Sequence, residues 1–221
     1  MTAVGDEPGE PGGSGVPTGV ATAEPAVEAG GAGGPRLCVV LPPGWRSLDL
    51  DDEARCARQV RALAAHVSSD DGPGARVRHE TRVALTGQVD AARTGGATLL
   101  AIAGPEVPFL AGSLLVTPLA RGDRITGEED WLTGEGARVH RSSVDAGSVV
   151  RRVTARRATE DGDPAPSVAI DYWLRSPRGR TVHLAFSTPL VVMAEAMTDL
   201  FDAVVESGRW VGGDAEAGTD G

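Results

Sequence analysis

The sequence of 221 residues contains no lysine, and all 21 of its lysine or arginine positions are arginine. A Walker P-loop requires a lysine at the β/γ-phosphates, and Schiff-base catalysis requires an amine side chain. Both kinds of chemistry are therefore excluded. Cysteine is also rare, with only Cys38 and Cys56 present. Two isolated thiols outside any metal-ligand spacing are typical of small buried apolar side chains.

Long apolar runs are missing as well. No stretch approaches the roughly 20 apolar residues that a membrane-spanning helix needs, so no direct membrane insertion is expected. The first residues show neither a charged region nor an apolar region of a secretory signal. A cytoplasmic protein is therefore expected, in which the two thiols stay reduced.

Residues 1–35 contain no Leu, Ile, Phe, Trp or Tyr and are rich in glycine and proline. Such a segment cannot bury enough apolar surface to offset its ordering entropy, which predicts disorder. The segment 212–221 has the same composition. A single folded domain is predicted over 36–211. Of the net charge of −10, the two tails hold eight acidic residues and no arginine, which leaves −2 for the domain. This balance argues against binding of nucleic acid.

Apolar periodicity predicts two strands, two helices and then mainly strands. The first strands are RLCVVL and WRSLDL, and a helix capped by Asp51 or Asp52 follows them. Thr188 and Pro189 are predicted to open a final helix, with Thr188 as its N-cap and an acidic outer stripe. The predicted fold is α+β, a mainly antiparallel sheet with two N-terminal helices and one C-terminal helix. The other predicted elements are a helix over 75–94 and strands over 98–103, 113–119, 137–144, 148–158, 167–175 and 181–187.

Several segments resemble an uncharacterised actinobacterial protein family. They are LPPGW at 41–45, the strand entry GGATLL at 95–100, SLLVTPL at 113–119, and an ending with DYW, FSTPL and LFDAVVESGRW. The arginine bias with abundant glycine and alanine also indicates a GC-rich genome of this kind. The order of elements resembles the Mog1/PsbP-like fold. This resemblance implies a domain that binds another protein and has no catalytic residues.

His183 is the most interesting histidine, because alternation places it away from the apolar side of its strand. With Ser187 and with Asp171 on the neighbouring strand it has the residue types of a hydrolytic triad. No G-x-S-x-G elbow is present, and a solvent-facing strand histidine is the alternative. No pair of histidines or cysteines has metal-ligand spacing, so neither a metal nor another cofactor is expected.

The arginines near the middle of the chain form the densest basic patch. If their strands pair, Arg151 and Arg157 project to one face, and Arg152 and Arg156 to the other. Such a split weakens a nucleic-acid groove, and the alternative is a charged edge that pairs with the acidic helix. The sequence therefore predicts a non-catalytic protein-interaction or adaptor module whose partner is another protein. The possible interaction surface consists of Arg138, Arg141, Arg151, Arg152, Arg156 and Arg157.

Two alternatives stay open at this point. One is a small-ligand-binding domain, whose pocket would be lined by Trp45, Trp131, Trp173 and Phe109. The other is a hydrolase that uses His183 as its general base. The acidic stripe of the last helix has two readings as well. It is either a solvated face or the complement of a basic partner.

Overall fold

The computed structural model describes residues 27–29, 36–66, 74–120, 138–156 and 166–212. These residues form three helices and ten strands, together with two short 3₁₀ turns at Pro108–Leu110 and Val191–Met193. The helices are α1 (Glu53–His66), α2 (Gly74–Thr94) and α3 (Ala194–Glu206). The strands are β1 (Val27–Ala29), β2 (Arg36–Val39), β3 (Trp45–Asp49), β4 (Leu99–Ala103), β5 (Ser113–Leu119), β6 (Arg138–Val144), β7 (Gly147–Arg156), β8 (Ser167–Arg175), β9 (Thr181–Thr188) and β10 (Arg209–Val211).

The strands form two sheets in which every neighbouring pair is antiparallel. The larger sheet has the order β3-β4-β5-β9-β8-β7-β6, and the smaller has the order β1-β2-β10. The prediction of an α+β fold with a mainly antiparallel sheet is therefore confirmed. Alternation along each strand gives the larger sheet two faces. We call the face that carries Tyr172, Leu184 and Phe186 the inner face, and the opposite one the outer face.

The prediction of disorder over 1–35 needs a correction at residues 27–29, which form β1. Val27 pairs with Val39 and Ala29 with Leu37. Because β10 pairs with the other edge of β2, this strand satisfies backbone groups of β2 that would otherwise lack a partner strand. The composition of residues 1–35 gave no sign of this strand, since three residues are too few to change the composition of the whole segment. The other residues of the N-terminal tail, and residues 213–221 of the C-terminal one, lie outside the described part of the chain.

The main core lies between the inner face and α3. Phe201 of α3 is fully buried and stacks on Phe186 of β9, with 4.3 Å between the ring centroids. It meets Trp45 of β3 edge to face at 6.1 Å. Leu37 and Val39 of the smaller sheet belong to the same cluster. These contacts hold α3 flat against the sheet, since each buried aromatic side chain contributes a few kcal/mol of hydrophobic stabilisation.

A second core fills one end of the outer face, where α1 and α2 pack. Leu48 and Leu100 of the sheet meet Cys56, Val60 and Val89 of the helices. Helix α1 begins as predicted, because the Asp52 carboxylate accepts the backbone N–H of Arg55 at 2.9 Å. Both cysteines are buried and free. None of the helices in the described residues is long and apolar enough to cross a bilayer.

The start of α3 differs from the prediction. Strand β9 continues to Thr188, a 3₁₀ turn follows, and α3 begins at Ala194 with Met193 as its N-cap and no side-chain cap. The Thr188 hydroxyl donates a hydrogen bond to the carbonyl of Ala111 at 2.7 Å and accepts one from the N–H of Leu190 at 3.1 Å. Thr188 therefore holds the backbone of Leu190 just before the turn, and it ties the β9–α3 connection to the β4–β5 loop.

A polar contact crosses the interface between α3 and the sheet. The Tyr172 hydroxyl donates to the carboxylate of Asp202 at 2.9 Å, and the Arg151 guanidinium donates to the other carboxylate oxygen. Asp202 belongs to the acidic stripe of this helix, and its contact with Arg151 matches the alternative in which the central arginines pair with the acidic helix. Burial raises the pKa of the Tyr172 phenol above its ordinary value of 10.0, and the Asp202 carboxylate raises it further.

Tyr172 is the only tyrosine, so its ionisation can be followed directly. Because the folded state keeps the phenol protonated, the unfolded state holds fewer protons once the pH exceeds about 10. The free energy of unfolding should then fall by about 1.4 kcal/mol per pH unit. Absorbance titration is expected to show phenolate forming together with unfolding, measured by circular dichroism. Phenolate formation near pH 10 in a chain that keeps its fold would contradict this environment.

Candidate interaction surface

The predicted arginines do not share one surface. Arg138 and Arg141 are exposed on β6, which is the last strand of the larger sheet within the described residues. Arg151 lies opposite Tyr172 on the inner face, whereas Arg152 lies opposite Asp171 on the outer face. Since Arg151 is committed to Asp202, it is not available to a partner. The side chain of Arg156 and the whole of Arg157 lie outside the described residues.

The structure brings together two members of the proposed triad. The Nε2 atom of His183 lies 2.9 Å from the Asp171 carboxylate, and its ring stacks on Trp173 at a centroid distance of 4.7 Å. Ser187 lies four residues further along the same strand, which places it about 13 Å away at the usual rise per residue. A serine at that distance cannot transfer its proton to His183. In the described part of the chain, no three His, Cys, Asp or Glu side chains cluster as metal ligands.

The predicted aromatic pocket is not formed. Trp45 is fully buried on the inner face, and Trp173 is buried on the outer face opposite His183. The sheet therefore separates the two rings. Phe109 belongs to the β4–β5 loop, where 60% of its surface is exposed, and Trp131 lies outside the described residues.

A cleft of about 230 Å³ lies between α1 and α2. Its floor contains Cys56, Val60 and Val89, and burial raises the pKa of the Cys56 thiol. Its rim carries both signs of charge, because Glu53, Arg61, Arg82, Asp90 and Arg93 all line it. A rim of mixed charge does not select a ligand of one charge, and the thiol stays in its protonated, unreactive form.

The most unusual surface lies at one end of the larger sheet, where two loops meet. The β4–β5 loop contains Phe109, and the β9–α3 connection contains Val191, Val192 and Met193. All four side chains are exposed, and Val192 is exposed completely. The hydrogen bond between Thr188 and Ala111 joins the two loops at their bases. We call these four residues the apolar end.

Local backbone structure fixes these side chains in their outward positions. The N–H of Leu110 donates to the carbonyl of Val107 at 2.8 Å, and the N–H of Met193 donates to that of Leu190 at 2.9 Å. The loop of Gly44 supports the first turn, because the N–H of Gly104 donates to the Gly44 carbonyl at 2.8 Å. Gly44 has a φ of +80°, and a Cβ at this position would lie 2.8 Å from the side chain of Val107. The turns at Pro108–Leu110 and Val191–Met193 are therefore each closed by a backbone hydrogen bond of their own.

Sequence reasoning missed the apolar end for two reasons. It started the last helix at Thr188 and Pro189, which would place Met193 inside the helix, whereas the helix begins at Ala194 and leaves 44% of Met193 exposed. It also treated Phe109 as part of a pocket. The signal that was present is the run LVVM at 190–193, where apolar residues occupy every position and cannot all face the core.

Charge near the apolar end is mainly negative. Between Ser187 and Gly208 the chain contains four acidic residues and no basic one. Glu106, in the β4–β5 loop, forms an ion pair with Arg46 at 2.8 Å. A backbone hydrogen bond and then the Arg46 guanidinium hold the pKa of the Glu106 carboxyl below its ordinary value, so Glu106 stays ionised.

Comparison with known proteins adds a distant structural likeness. No protein-family model matches the chain, and no curated protein matches it. Among solved structures the chain is similar to the Ran-binding protein Mog1p of Saccharomyces cerevisiae, with a TM-score of 0.41 and 12% identity over 78% of this chain and 89% of that one. A mutant of protein Mog1 gives the same values. The likeness agrees with the Mog1/PsbP-like order predicted from the sequence, and at this TM-score it carries no argument about function.

Two methionines, one helical turn apart, test the geometry of the apolar end. Met193 is 44% exposed, whereas only 1% of Met197 is exposed. Met193→Ala should change the free energy of unfolding by less than about 0.5 kcal/mol, as surface substitutions do. Met197→Ala should lower it by about 2–5 kcal/mol, because it leaves a cavity in the core. Urea denaturation measures both values, and equal losses would mean that Met193 is packed.

Proposed function

We propose that this protein is a non-catalytic protein-interaction module that binds its partner through the apolar end. The observation that carries the proposal is the complete exposure of Val192 beside Val191 and Met193, at the same end of the sheet as Phe109. Clustered exposed apolar side chains mark protein-interaction sites on soluble proteins. Covering such a side chain contributes about 1.5–3 kcal/mol, so a few of them support a specific complex.

The hydrogen bonds of the two turns support the same proposal. Together with the link between Thr188 and Ala111 they define the backbone that carries the exposed side chains. Binding to a surface that is already ordered costs less conformational entropy than binding to a flexible loop. The apolar end therefore has both the chemistry and the order that a binding surface needs.

The exposed arginines of β6 are a second surface for the same function. Arg138 and Arg141 lie on a seven-residue strand at the edge of the sheet. An extended segment with acidic side chains fits such an edge. Strand addition pairs the backbone groups of β6, and the arginines pair with the carboxylates of the segment. The two arginines point to opposite faces, since Arg138 is opposite Val153 and Arg141 is opposite Val150. This division makes the arginine edge the weaker candidate.

Affinity purification from the native host tests the proposal. The tagged chain is compared with the variant Phe109→Ser/Val192→Ser, and retained proteins are quantified by mass spectrometry. A partner held at the apolar end should decrease about tenfold or more, because each 1.4 kcal/mol of lost binding energy corresponds to about a factor of ten.

The matched control is Val77→Ser/Val83→Ser, which removes two exposed valines from α2, far along the chain from the apolar end. It should retain the partner at the level of the unmodified chain. A third variant, Arg138→Glu/Arg141→Glu, tests the edge strand. If the third variant loses the partner and the first retains it fully, the binding site is the arginine edge and not the apolar end.

A further inference from the structure

Helix α3 presents an acidic face directly after the apolar end. Glu195 and Asp199 are exposed and lie four residues apart, so that they occupy the same face of the helix. Like charges at this spacing destabilise a helix by a few tenths of a kcal/mol. The helix dipole favours Glu195, which lies in the first turn of α3, but no ion pair within the described residues engages either carboxylate.

The contrast with Asp202 shows which carboxylates are available. Asp202 has the Arg151 guanidinium and the Tyr172 hydroxyl as partners. None of the ion pairs among the residues that the structure describes involves Glu195 or Asp199. The acidic stripe is therefore divided. Asp202 fastens the helix to the sheet, whereas Glu195, Asp199 and Glu206 are exposed.

The outward carboxylates lie on the side of α3 that continues from Val192. Val192 precedes Glu195 by three residues and Asp199 by seven, and these spacings place side chains on one face of successive helical turns. A single bound segment that covers Val192 can therefore also contact both carboxylates.

We infer that the partner supplies a basic, apolar segment, in which large aliphatic or aromatic side chains lie next to arginine or lysine. The aliphatic or aromatic groups cover Val192 and Met193, and the cations lie against Glu195 and Asp199. Charge complementarity of this kind selects the partner and speeds its approach. The inference rests on the proposed function, since it defines the chemistry of the partner at the same surface.

A second copy of this chain fits the surface poorly. A two-fold contact buries the same patch of both copies, and this patch contains two carboxylates and no basic residue. It would therefore bring Glu195 and Asp199 of one copy toward those of the other, and the chain has a net charge of −10. Both effects oppose self-association, whereas a basic segment of another protein relieves the repulsion.

Selection from a library of random peptides displayed on phage measures the chemistry directly. The library is selected on the immobilised full chain, on Phe109→Ser/Val192→Ser and on Glu195→Gln/Asp199→Gln. Peptides selected by the full chain should be enriched in both apolar and basic residues. As synthetic peptides they should bind the Glu195→Gln/Asp199→Gln variant roughly 2- to 30-fold more weakly at low salt, the effect expected for two exposed ion pairs.

The control Glu53→Gln/Asp90→Asn removes two exposed acidic groups from α1 and α2 and should leave peptide affinity unchanged. Enriched peptides that need Phe109 and Val192 but show no basic bias would overturn this inference and leave the proposed function standing. No enrichment above the Phe109→Ser/Val192→Ser variant would overturn both. An increase in mass of the free chain with concentration, seen by sedimentation, would assign the surface to a second copy.

Discussion

The position of Phe201 is the constraint on which the described surface depends. Its ring lies against Phe186 and Trp45, and this contact fixes α3 across the inner face of the sheet. Because the helix is fixed, the turn before it has one position, and the hydrogen bond from Thr188 to Ala111 joins that turn to the β4–β5 loop. The core thus determines where the exposed apolar side chains stand.

The polar contact between Asp202 and the sheet restricts the rotation of α3 about its own axis. A hydrophobic interface tolerates rotation of a helix about its axis, whereas a carboxylate with two partners does so less. The partners are the Tyr172 hydroxyl and the Arg151 guanidinium. Helix α3 is held with Met197, Phe201 and Val204 toward the core, and Glu195 and Asp199 face outward. The same helix therefore contributes to the core through one side and to the proposed binding surface through the other.

Most of the fold followed from local patterns, because alternation in strands and the Asp52 cap of α1 report burial and helix starts directly. The order of strands in the sheet and the position of the proposed binding surface did not follow from local patterns. The inward turn of Asp202 depends on Arg151, which is 51 residues away in the sequence. The exposure of Met193 depends on where α3 begins, and Thr188 serves the preceding turn instead of the helix. Pairing of β1 with β2 likewise required a partner strand that composition does not reveal.

Hydroxyl-radical footprinting of the isolated chain and of its native complex tests the central claim most directly. Thioether oxidation follows solvent access, and Met193, just before α3, is much more exposed than Met197 within it. In the isolated chain Met193 should oxidise much faster than Met197. In the complex the account predicts that the rate at Met193 falls toward that of Met197, while oxidation of the exposed His79 on α2 stays unchanged. An unchanged rate at Met193 in a complex that remains intact would contradict it.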